Sequence, residues 1–490
     1  MQYQSTRDKN LKASSAQAIL NGLAPDGGLY TMPSFDEVKF DYTTVLNMDT
    51  MSMSTKILSK LLPDFSEAEM AKLVHDGYTG KFETDHLTPT VPVGEDFILE
   101  LFRGPTSAFK DVALSMLPRL MTASKEKLGV DDEIMILTAT SGDTGKAAME
   151  GFCDVPGTKI IVFYPYGGVS AVQQAQMATQ AGENVCVCAV RGNFDDAQTG
   201  VKKIFAACAE KELAGVRLSS ANSINIGRLV PQVVYYVYAY AKLYANGKIA
   251  KDEKINIVVP TGNFGNILAA YFAKQMGVPF GKLICASNDN KVLYDFFQTG
   301  TYDKNREFIL TTSPSMDILV SSNLERLLYL SCGRDAAKTK ELMEQLSKNG
   351  KYEITPEMKE FMKDFSAGYA DMEENAKEIK KVFDDTGYLI DTHTGVAAAV
   401  YEQYKTKTGD TTKTIIASTA SPYKFSRSVM EAVLGKKEDT DEFALIDEME
   451  RISGVKIPQA IEEIRDAKIL HNRQCKPEEM EETVKQTFSK

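Results

Sequence analysis

The chain has 490 residues, of which 43% are hydrophobic, so it is long enough to form about three units of ordinary domain size. Its formal net charge of -11 gives no broad basic field, which excludes electrostatic capture of nucleic acid or of an anionic membrane surface. The opening residues have neither the apolar stretch of a secretory signal nor transit-peptide character, and no apolar run approaches the roughly 20 residues that cross a bilayer. We therefore expect a cytoplasmic, multidomain protein without membrane or nucleic-acid partners.

The first 95 residues predict a separate N-terminal unit, with helical segments over Ser14 to Leu23 and over Met51 to Leu62. From about residue 134, short β-branched apolar runs alternate with longer amphipathic segments, which is typical of a buried parallel sheet covered by helices. Helices are predicted between the strands over Phe194 to Leu213 and over Arg228 to Tyr244. The candidate strands are Ile134 to Leu137, Ile160 to Phe163, Val185 to Val190, Ile255 to Val259, Leu283 to Ala286 and Thr414 to Ala417.

Two later stretches are rich in charged residues at helical spacing. The stretch from Lys338 to Lys381 predicts helices on the outside of the sheet, with a solvated face. The tail after Leu434, which includes EEIRDAKIL and EEMEETVKQ, predicts terminal helices. We thus expect an α/β protein in four units, formed by residues 1–95, 96–245, 246–435 and 436–490.

Neither the cysteines nor the histidines are spaced for a metal site. The seven cysteines are scattered and odd in number, unlike a disulfide framework or a paired zinc motif, and they predict reduced, mainly structural thiols. The four histidines have no HExxH spacing that would put two imidazoles on one helical face. We therefore expect no metal.

The segment GPTSAFKD, residues 104–111, places Lys110 after small residues and a phenylalanine, and before an apolar run over Val112 to Leu120. A lysine at the base of a cleft loses hydration, which lowers its pKa, so its neutral amine can attack an aldehyde to form an imine. Most lysines only solubilise the surface. Lys110 therefore becomes a catalytic candidate only in combination with other segments.

The segment TATSGDTGKAAM, residues 138–149, predicts a strand, a turn of small hydroxylated residues and glycines, and a helix whose first amides can hold an anion. A nucleotide-binding P-loop is excluded, because Thr140 replaces its first glycine and Ala147 follows the lysine where Ser or Thr is required. We expect the carboxylate of a small substrate here, with the hydroxyls of Ser141 and Thr144 as donors. The alternative is a plain helix start with Asp143 in its first turn.

The segment VVPTGNFGNILAAYFA, residues 258–273, again predicts a strand, a glycine turn and a helix. Gly262 and Gly265 let the backbone approach a ligand, and the amides of residues 263–266 lie at the positive end of the helix. The GxGxxG spacing of a dinucleotide fold is absent, so we expect a single phosphate monoester rather than a plain tight turn. A fourth segment, ASTASPYKF at residues 417–425, ends a strand in hydroxyls that can point into the ligand crevice of an α/β sheet.

These four segments, in this order, resemble those of the threonine synthases, which belong to the pyridoxal-phosphate enzyme fold type shared with threonine dehydratase and tryptophan synthase β. The resemblance extends over nearly the whole chain, since GLAPDGGLY (22–30), LELFRGPTSAFKD (99–111) and NSINIGRLVPQ (222–232) are also similar to family motifs. It implies pyridoxal-phosphate fold type II: two open, twisted, mostly parallel sheets flanked by helices, with an extra N-terminal domain and C-terminal helices.

The resemblance also implies roles for individual residues. Lys110 would hold pyridoxal phosphate as a Schiff base and move protons, and Thr419 or Ser421 would hydrogen-bond the pyridine nitrogen. The residues that bind the cofactor phosphate would be Gly262, Asn263, Phe264, Gly265 and Asn266. The residues that receive the substrate carboxylate would be Ser141, Gly142, Asp143 and Thr144. Arg228 would grip the substrate phosphate bidentately, unless it forms a surface ion pair, and its helpers would be Ser223, Asn225 and Lys146.

Threonine synthases convert O-phospho-L-homoserine and water into L-threonine and inorganic phosphate, and the resemblance implies this reaction, with the segment near residues 104–230 closing over the substrate. One alternative is a lyase of the same fold, either a hydroxyamino-acid dehydratase or a phospholyase that releases a keto acid. Another is a catalytically silent homologue that binds phosphorylated amino acids or partner proteins. A monomer and a homodimer are both compatible with the sequence, and no S-adenosylmethionine regulatory region is recognisable.

Overall fold

The computed structural model of the chain describes residues 1–140, 142–210, 215–437 and 439–488. An N-terminal unit contains an antiparallel sheet, in the order β2-β1-β3, and three α-helices. Ser14 and Ser66 form capping boxes, which explains why α1 and α3 begin where they do. Both helices predicted here are confirmed. The elements are β1 (Tyr3–Ser5), β2 (Lys12–Ala13), α1 (Ser15–Asn21), β3 (Tyr30–Thr31), α2 (Thr50–Leu61) and α3 (Glu67–Tyr78).

Strands and helices alternate along most of the remaining chain. Between residues 90 and 245 they are β4 (Thr90–Val93), β5 (Asp96–Glu100), α4 (Lys110–Leu128), β6 (Glu133–Ala139), α5 (Asp143–Phe152), β7 (Thr158–Pro165), α6 (Ala171–Ala178), β8 (Val185–Val190), α7 (Phe194–Glu210), β9 (Val216–Ser219) and α8 (Ile226–Ala245). Between residues 255 and 361 they are β10 (Ile255–Pro260), α9 (Gly265–Met276), β11 (Phe280–Ser287), α10 (Val292–Thr299), β12 (Thr301–Asp303), α11 (Leu324–Ser331), α12 (Ala336–Asn349), β13 (Lys351–Glu353) and α13 (Pro356–Phe361). From residue 365 they are β14 (Phe365–Tyr369), α14 (Met372–Thr386), α15 (Thr392–Thr408), β15 (Thr414–Ser418), α16 (Ser426–Leu434), α17 (Glu442–Ser453), α18 (Gln459–Glu462), β16 (Arg473–Cys475) and α19 (Met480–Phe488).

Two mostly parallel sheets form the core of the molecule. The larger has six strands in the order β14-β11-β10-β15-β5-β4, and only β4 is antiparallel to its neighbour. The smaller has five parallel strands in the order β16-β8-β7-β6-β9. Their central strands are almost wholly buried, which accounts for the apolar runs that predicted them. All six candidate strands and the α/β fold class are confirmed, and the predicted helix end at Leu213 lies outside the described residues.

The stretch from Lys338 to Lys381 is not entirely helical, so that prediction is wrong in part. Helices α12, α13 and α14 lie there, but β13 pairs with β12 and β14 forms the edge of the larger sheet. The β14 sequence FSAGY contains small residues and a glycine between charged helices, so it lacks the apolar periodicity of a strand. Its pairing with β11 is a long-range contact that local sequence does not encode.

The tail after Leu434 also departs from the prediction. The segment EEMEETVKQ lies largely in α19, but EEIRDAKIL, residues 462–470, is irregular because α18 ends at Glu462. The backbone N–H groups of Leu470 and His471 instead donate to the carbonyl of Ala178, at 2.8 and 2.9 Å. This contact leads the chain to β16, which covers the edge of β8.

The chain crosses between the two sheets. Strands β4 and β5 belong to the larger sheet, β6 to β9 form the smaller one, and β16 returns to the smaller sheet after β15 has completed the larger. The division into four units stays a prediction. Over the described ranges, no helix combines the length and the apolar character required to span a membrane.

Arg326 joins the N-terminal unit to the rest of the protein. Its guanidinium is fully buried, and it donates to the carbonyls of Tyr30 at 2.9 Å and Ile224 at 2.7 Å and to the side-chain oxygen of Asn323. Burial lowers the pKa of Arg326 to about 10, although neighbouring Glu325 opposes this change. One cation thus satisfies acceptors from three separate parts of the chain.

Replacing Arg326 by methionine should lower the free energy of unfolding by about 3 kcal/mol, because three buried acceptors lose their donor. Urea denaturation followed by circular dichroism measures the change. Arg451→Met is the control, because Arg451 is exposed and its ion pair is with nearby Glu448. Equal stability of the two variants would contradict a joining role for Arg326.

Candidate active site

Lys110 begins α4 and belongs to a loop that is fastened to the loop after β15. Ala108 and Ala420 form an isolated antiparallel bridge. The backbone N–H of Phe109 donates to the carbonyl of Thr419 at 2.8 Å, and the N–H of Ser421 donates to the carbonyl of Ser107 at 3.0 Å. The lysine segment and the hydroxyl-rich segment, far apart in sequence, therefore lie side by side.

Asp111 holds the loop before the lysine in shape. Its carboxylate accepts the backbone N–H of Thr106 at 2.9 Å and the hydroxyl of the same residue. Burial raises the pKa of Asp111 to about 6, and the hydrogen bonds from Thr106 oppose the rise. Ser107 adopts a left-handed backbone conformation, with φ of 58°, which is strained for a residue with a side chain. The carboxylate therefore stabilises an unfavourable loop directly before Lys110.

The Lys110 amine lies in a buried pocket of charged and polar groups. Its Nζ is 3.0 Å from Ser315 Oγ and 3.7 Å from Asp143 Oδ2. Burial lowers the pKa of Lys110 to about 8, Asp143 opposes the change, and the positive charges of Lys424 and Arg228 reinforce it. A useful fraction of the amine is therefore neutral near physiological pH, as a nucleophile or base requires.

Asp143, the first residue of α5, is buried between two lysines. Its Oδ1 accepts hydrogen bonds from Lys424 Nζ at 2.8 Å and from Gln173 Nε2 at 2.9 Å, while Oδ2 faces Lys110. Burial alone would raise the pKa of Asp143, but the charges of Lys424 and Lys110 hold it far below its ordinary value. The side chain is therefore a permanent anion occupied by protein groups, and only the backbone of Asp143 is available to a substrate.

The turn before α5 is built around Thr140. Its hydroxyl accepts the backbone N–H groups of Gly142 at 3.0 Å and of Gly145 at 2.9 Å. Gly142 has φ of 135°, and a Cβ added there would lie 2.4 Å from the Gln173 side chain, so only glycine fits. Thr144 is half-buried in the first turn of α5, and Ser141 lies outside the described residues.

The start of α9 forms an anion cradle. Phe264 precedes the helix with φ of 61°, and its side chain makes no capping hydrogen bond to the first amides. A Cβ added to Gly262 would lie 2.5 Å from the carbonyl oxygen of Ser315, so the turn passes very close to that segment. Asn266 accepts a hydrogen bond from the Tyr236 hydroxyl, but its buried Nδ2 has no partner within the described ranges. A donor that is buried and unpaired indicates a place for an acidic ligand.

The cradle is braced from its outer side. The carbonyl of Asn263 accepts the backbone N–H of Asn323 at 3.0 Å and its Nδ2 at 2.9 Å. The carbonyl of Gly262 accepts the hydroxyl of Ser321 at 2.7 Å. Because Arg326 in turn holds Asn323, the N-terminal unit supports the cradle, which ends where Gly265 begins α9.

Arg228 is a buried cation without an acidic partner in the part of the chain that the structure describes. One terminal nitrogen donates to the carbonyl of Ala221, while the buried Nε makes no hydrogen bond with any residue that the structure describes. Burial lowers the pKa of Arg228 to about 10. The alternative of a surface ion pair is therefore wrong, and the free donor is suited to an anion such as a phosphate.

Two predicted phosphate ligands have other partners. Asn225 caps α8, because its Oδ1 accepts the backbone N–H of Gly227 at 2.8 Å while its Nδ2 donates to the carbonyl of Ile19 at 2.9 Å. Lys146 is buried against Glu150 and Gln180. Because the side chains of Asn225 and Lys146 already have these protein partners, neither is placed to donate to a substrate phosphate. Ser223 remains near the cradle, where its hydroxyl accepts from Asn323 Nδ2 at 3.4 Å.

The two candidates for the pyridine nitrogen also differ. Ser421 Oγ accepts the backbone N–H of Tyr423 at 3.3 Å and so caps a short 3₁₀ turn. The Thr419 side chain forms no hydrogen bond with any described residue, and its backbone carbonyl fastens the lysine loop. The free hydroxyl of Thr419 is thus the better placed of the two.

Sequence reasoning missed several residues of the site. Lys424 lies within the fourth segment, but a buried lysine in a loop has no local signature. Ser315 and His393 come from segments that carried no motif, and their contacts with the site are visible only in three dimensions. The one available signal was the start of α15, where Asp391 precedes Thr392 and His393 as a helix cap.

Three family models match this chain. Residues 88–421 match the family described as pyridoxal-phosphate dependent enzyme, residues 2–78 match the threonine synthase N terminus, and residues 394–471 match the threonine synthase C-terminal family. The three matched segments cover most of the chain, including every part of the site described above.

Individual relatives give the same result. The chain is 35% identical over 504 aligned positions to the threonine synthase of Saccharomyces cerevisiae, with 96% of each chain covered. It is 37% identical over 438 positions to threonine synthase-like 1 of Homo sapiens, covering 85% of this chain and 58% of that protein. The crystal structure of pyridoxal-phosphate-bound threonine synthase from Brucella melitensis matches with a TM-score of 0.88 at 35% identity, over 100% of both chains.

The capture of pyridoxal phosphate by the cofactor-free protein should accelerate as the pH rises through about 8, because the neutral fraction of Lys110 increases through its pKa. Stopped-flow visible absorbance over a pH series measures the midpoint. Asp143→Asn should move the midpoint to lower pH, since loss of the neighbouring anion lowers the pKa of Lys110 further. A midpoint near the ordinary value of 10.5 would contradict burial of the amine.

Proposed function

The chain belongs to the threonine synthase family of pyridoxal-phosphate-dependent enzymes, and from that premise we propose that it converts O-phospho-L-homoserine and water into L-threonine and inorganic phosphate. One observation carries the proposal: a buried lysine with a lowered pKa lies beside the Asp143 carboxylate, in a pocket that also receives the positive field of Arg228, which has no acidic partner among the described residues. The uncapped start of α9 adds a second place for a phosphate ester.

The residues of the pocket fit pyridoxal phosphate. Lys110 is the group for the cofactor aldehyde, and Thr419 offers a free hydroxyl for the pyridine nitrogen. The cofactor phosphate fits the start of α9, where the buried Nδ2 of Asn266 has no partner among the described residues. The residues proposed to form this cradle are Gly262, Asn263, Phe264, Gly265 and Asn266.

Pyridoxal phosphate, when bound, supplies an electron sink that stabilises negative charge on the substrate carbon next to the amine. The protein supplies the groups that move and hold protons. Lys110 accepts the proton from this carbon at its Nζ, which its lowered pKa permits. Asp143 remains ionised, so it stabilises the protonated amine without competing for the proton.

The substrate's charged groups fit the other donors. The Nε of Arg228, which has no hydrogen-bond partner among the described residues, suits the departing phosphate, with the hydroxyl of Ser223 as a second donor. The backbone amides at the start of α5, at residues 142–144, fit the carboxylate, and Ser141 remains a proposed donor there. Because phosphate leaves as an anion, a cation held in place beforehand lowers the barrier to its departure.

Water must reach the substrate only after phosphate has left. Backbone hydrogen bonds join the lysine loop to the loop after β15, so these two loops are held together on one side of the pocket. We propose that access is controlled from the opposite side, by the part of residues 104–230 that covers the smaller sheet. A cytoplasmic location and a monomer or homodimer remain our predictions for the whole protein.

A coupled assay on purified protein tests the function. We expect visible absorbance that borohydride removes, followed by release of threonine and phosphate in equal amounts from O-phospho-L-homoserine. Lys110→Ala should lower the rate of release at least about 1,000-fold, because it removes the group that moves the proton. Lys127→Ala, which changes an exposed lysine of the same helix, is the matched control and should retain the rate.

The products distinguish the alternatives. Phosphate accompanied by a 2-oxo acid instead of threonine would identify a lyase of the same fold. Absence of the visible band, with phosphohomoserine still bound, would identify a silent binding protein and would contradict the proposed catalysis.

Asn266→Asp tests the cradle at the start of α9. A carboxylate at this position should repel the cofactor phosphate and weaken pyridoxal phosphate binding at least about 10-fold. Titration of the cofactor-free protein by visible absorbance measures the affinity. Pyridoxal, which lacks the phosphate, is the matched ligand and should bind the wild type and the variant equally. An equal loss for both ligands would mean that the substitution disturbs the loop and not a phosphate contact.

A further inference from the structure

Ser315 touches the reacting nitrogen of the site, although it belongs to none of the motifs that identified the pocket. It lies in a short 3₁₀ turn, Pro314–Met316, and its Oγ accepts a hydrogen bond from Lys110 Nζ at 3.0 Å. The same oxygen donates to Asp143 Oδ2 at 3.4 Å. Ser315 therefore bridges the amine and its counter-ion.

A buried histidine holds the backbone of Ser315. The N–H of Ser315 donates to His393 Nε2 at 3.1 Å, so the hydrogen of the neutral ring is on Nδ1 and points to Asp391 Oδ2 at 2.7 Å. The His393 ring and the Asp391 carboxylate are buried, and the ring packs against Phe425 with centroids 4.9 Å apart. A carboxylate thus fixes the ring, and the ring fixes Ser315.

Asp391 is itself tied to the larger sheet. Its Oδ1 accepts hydrogen bonds from the backbone N–H of Thr394 at 3.0 Å and from the Thr394 hydroxyl. Asp391 thereby caps the start of α15. The Thr394 hydroxyl lies 3.0 Å from the hydroxyl of Ser418 at the end of β15. A continuous series of hydrogen bonds therefore runs from the sheet to the lysine amine.

The other side of the turn is pinned as well. Asp317 accepts hydrogen bonds from the Thr311 hydroxyl and from Asn288 Nδ2, both at 2.7 Å. Asn288 Nδ2 also donates to the hydroxyl of Ser313 at 2.9 Å. The turn that carries Ser315 is consequently held on both flanks, which fixes the backbone from which its hydroxyl contacts Lys110.

We infer that Ser315 is a further catalytic residue of the proposed reaction, and that His393 and Asp391 are positioning residues that act through it. A free lysine amine can rotate about several bonds, and a hydroxyl that contacts both the amine and Asp143 restricts it to one orientation. A purely structural histidine would also be buried and hydrogen-bonded. It would not need to bind the backbone of Ser315, the residue whose hydroxyl contacts Lys110 Nζ. The inference rests on the proposed function for the turnover measurement, although not for cofactor capture.

The test uses Ser315→Ala, Ser315→Thr, His393→Gln and the double variant Ser315→Ala with His393→Gln. Two quantities are measured: the rate of pyridoxal phosphate capture by cofactor-free protein, and kcat and KM with O-phospho-L-homoserine. Ser315→Ala should lower the capture rate and kcat about 10- to 100-fold with KM changed less than about twofold, because the amine loses its orientation while substrate contacts remain. Ser315→Thr should restore much of the loss, since it keeps the hydroxyl.

The double variant separates positioning from general stability. His393→Gln alone should lower capture and kcat at least about 5-fold, but it should add nothing in the Ser315→Ala background, because its effect passes through the missing hydroxyl. Ser331→Ala and His86→Gln are matched controls, as each changes a hydrogen-bonded residue of the same type outside the site.

Each outcome has one meaning. Additive losses in the double variant, or normal capture by Ser315→Ala, would overturn the inference. If capture follows the expected pattern while the wild type makes no threonine, the inference stands for the lysine and the proposed function fails. If the wild type makes threonine but the variants capture pyridoxal phosphate at the wild-type rate, the proposed function stands and the inference fails.

Discussion

The site depends on one buried carboxylate that is shared by two lysines. Asp143 is removed from water between Lys424 and Lys110, and the cost of burying three charged groups is offset only because they neutralise each other in part. The two lysines are nearly balanced by the carboxylates of Asp143 and Asp111, so the buried guanidinium of Arg228 leaves an excess of positive charge. In a region of low dielectric such an excess is reduced either by binding an anion or by releasing a proton from a lysine. The interaction that holds the pocket together therefore also prepares it for phosphate-bearing ligands.

The architecture brings the necessary groups together through connections between sheets. Lys110 follows a strand of the larger sheet and starts a helix on the way to the smaller one, while Asp143 starts a helix directly after a strand of the smaller sheet. The site thus lies where the chain crosses from one sheet to the other, at the carboxyl ends of parallel strands. The N-terminal unit contributes indirectly, because Arg326 hydrogen-bonds both Tyr30 and Asn323, and Asn323 braces the phosphate cradle. A change far from the ligand can in this way reach the cradle.

Much of the fold and the centre of the site could be predicted from the sequence, because they have local causes. Buried strands are apolar runs, and the turns at Gly142 and Gly262 require glycine for steric reasons that also mark them in the sequence. The remainder depends on contacts between distant residues. No local pattern around Asn225 predicts that its amide donates to the carbonyl of Ile19, and none around Lys146 predicts its hydrogen bond to Gln180. The edge strand β14 escaped prediction for a related reason, since its pairing partner rather than its own sequence makes it a strand.

The return of β16 to the smaller sheet has a consequence for the order in which the protein folds during its synthesis. The hydrogen bond between Arg191, which follows β8, and Gln474 in β16 spans 283 positions of the chain. At about 10 residues per second, the open edge of β8 waits on the order of half a minute for its partner to leave the ribosome. An unpaired parallel strand is a template for wrong associations during that interval. Chaperone binding to the nascent chain is thus most useful in this interval, while the smaller sheet still lacks one edge.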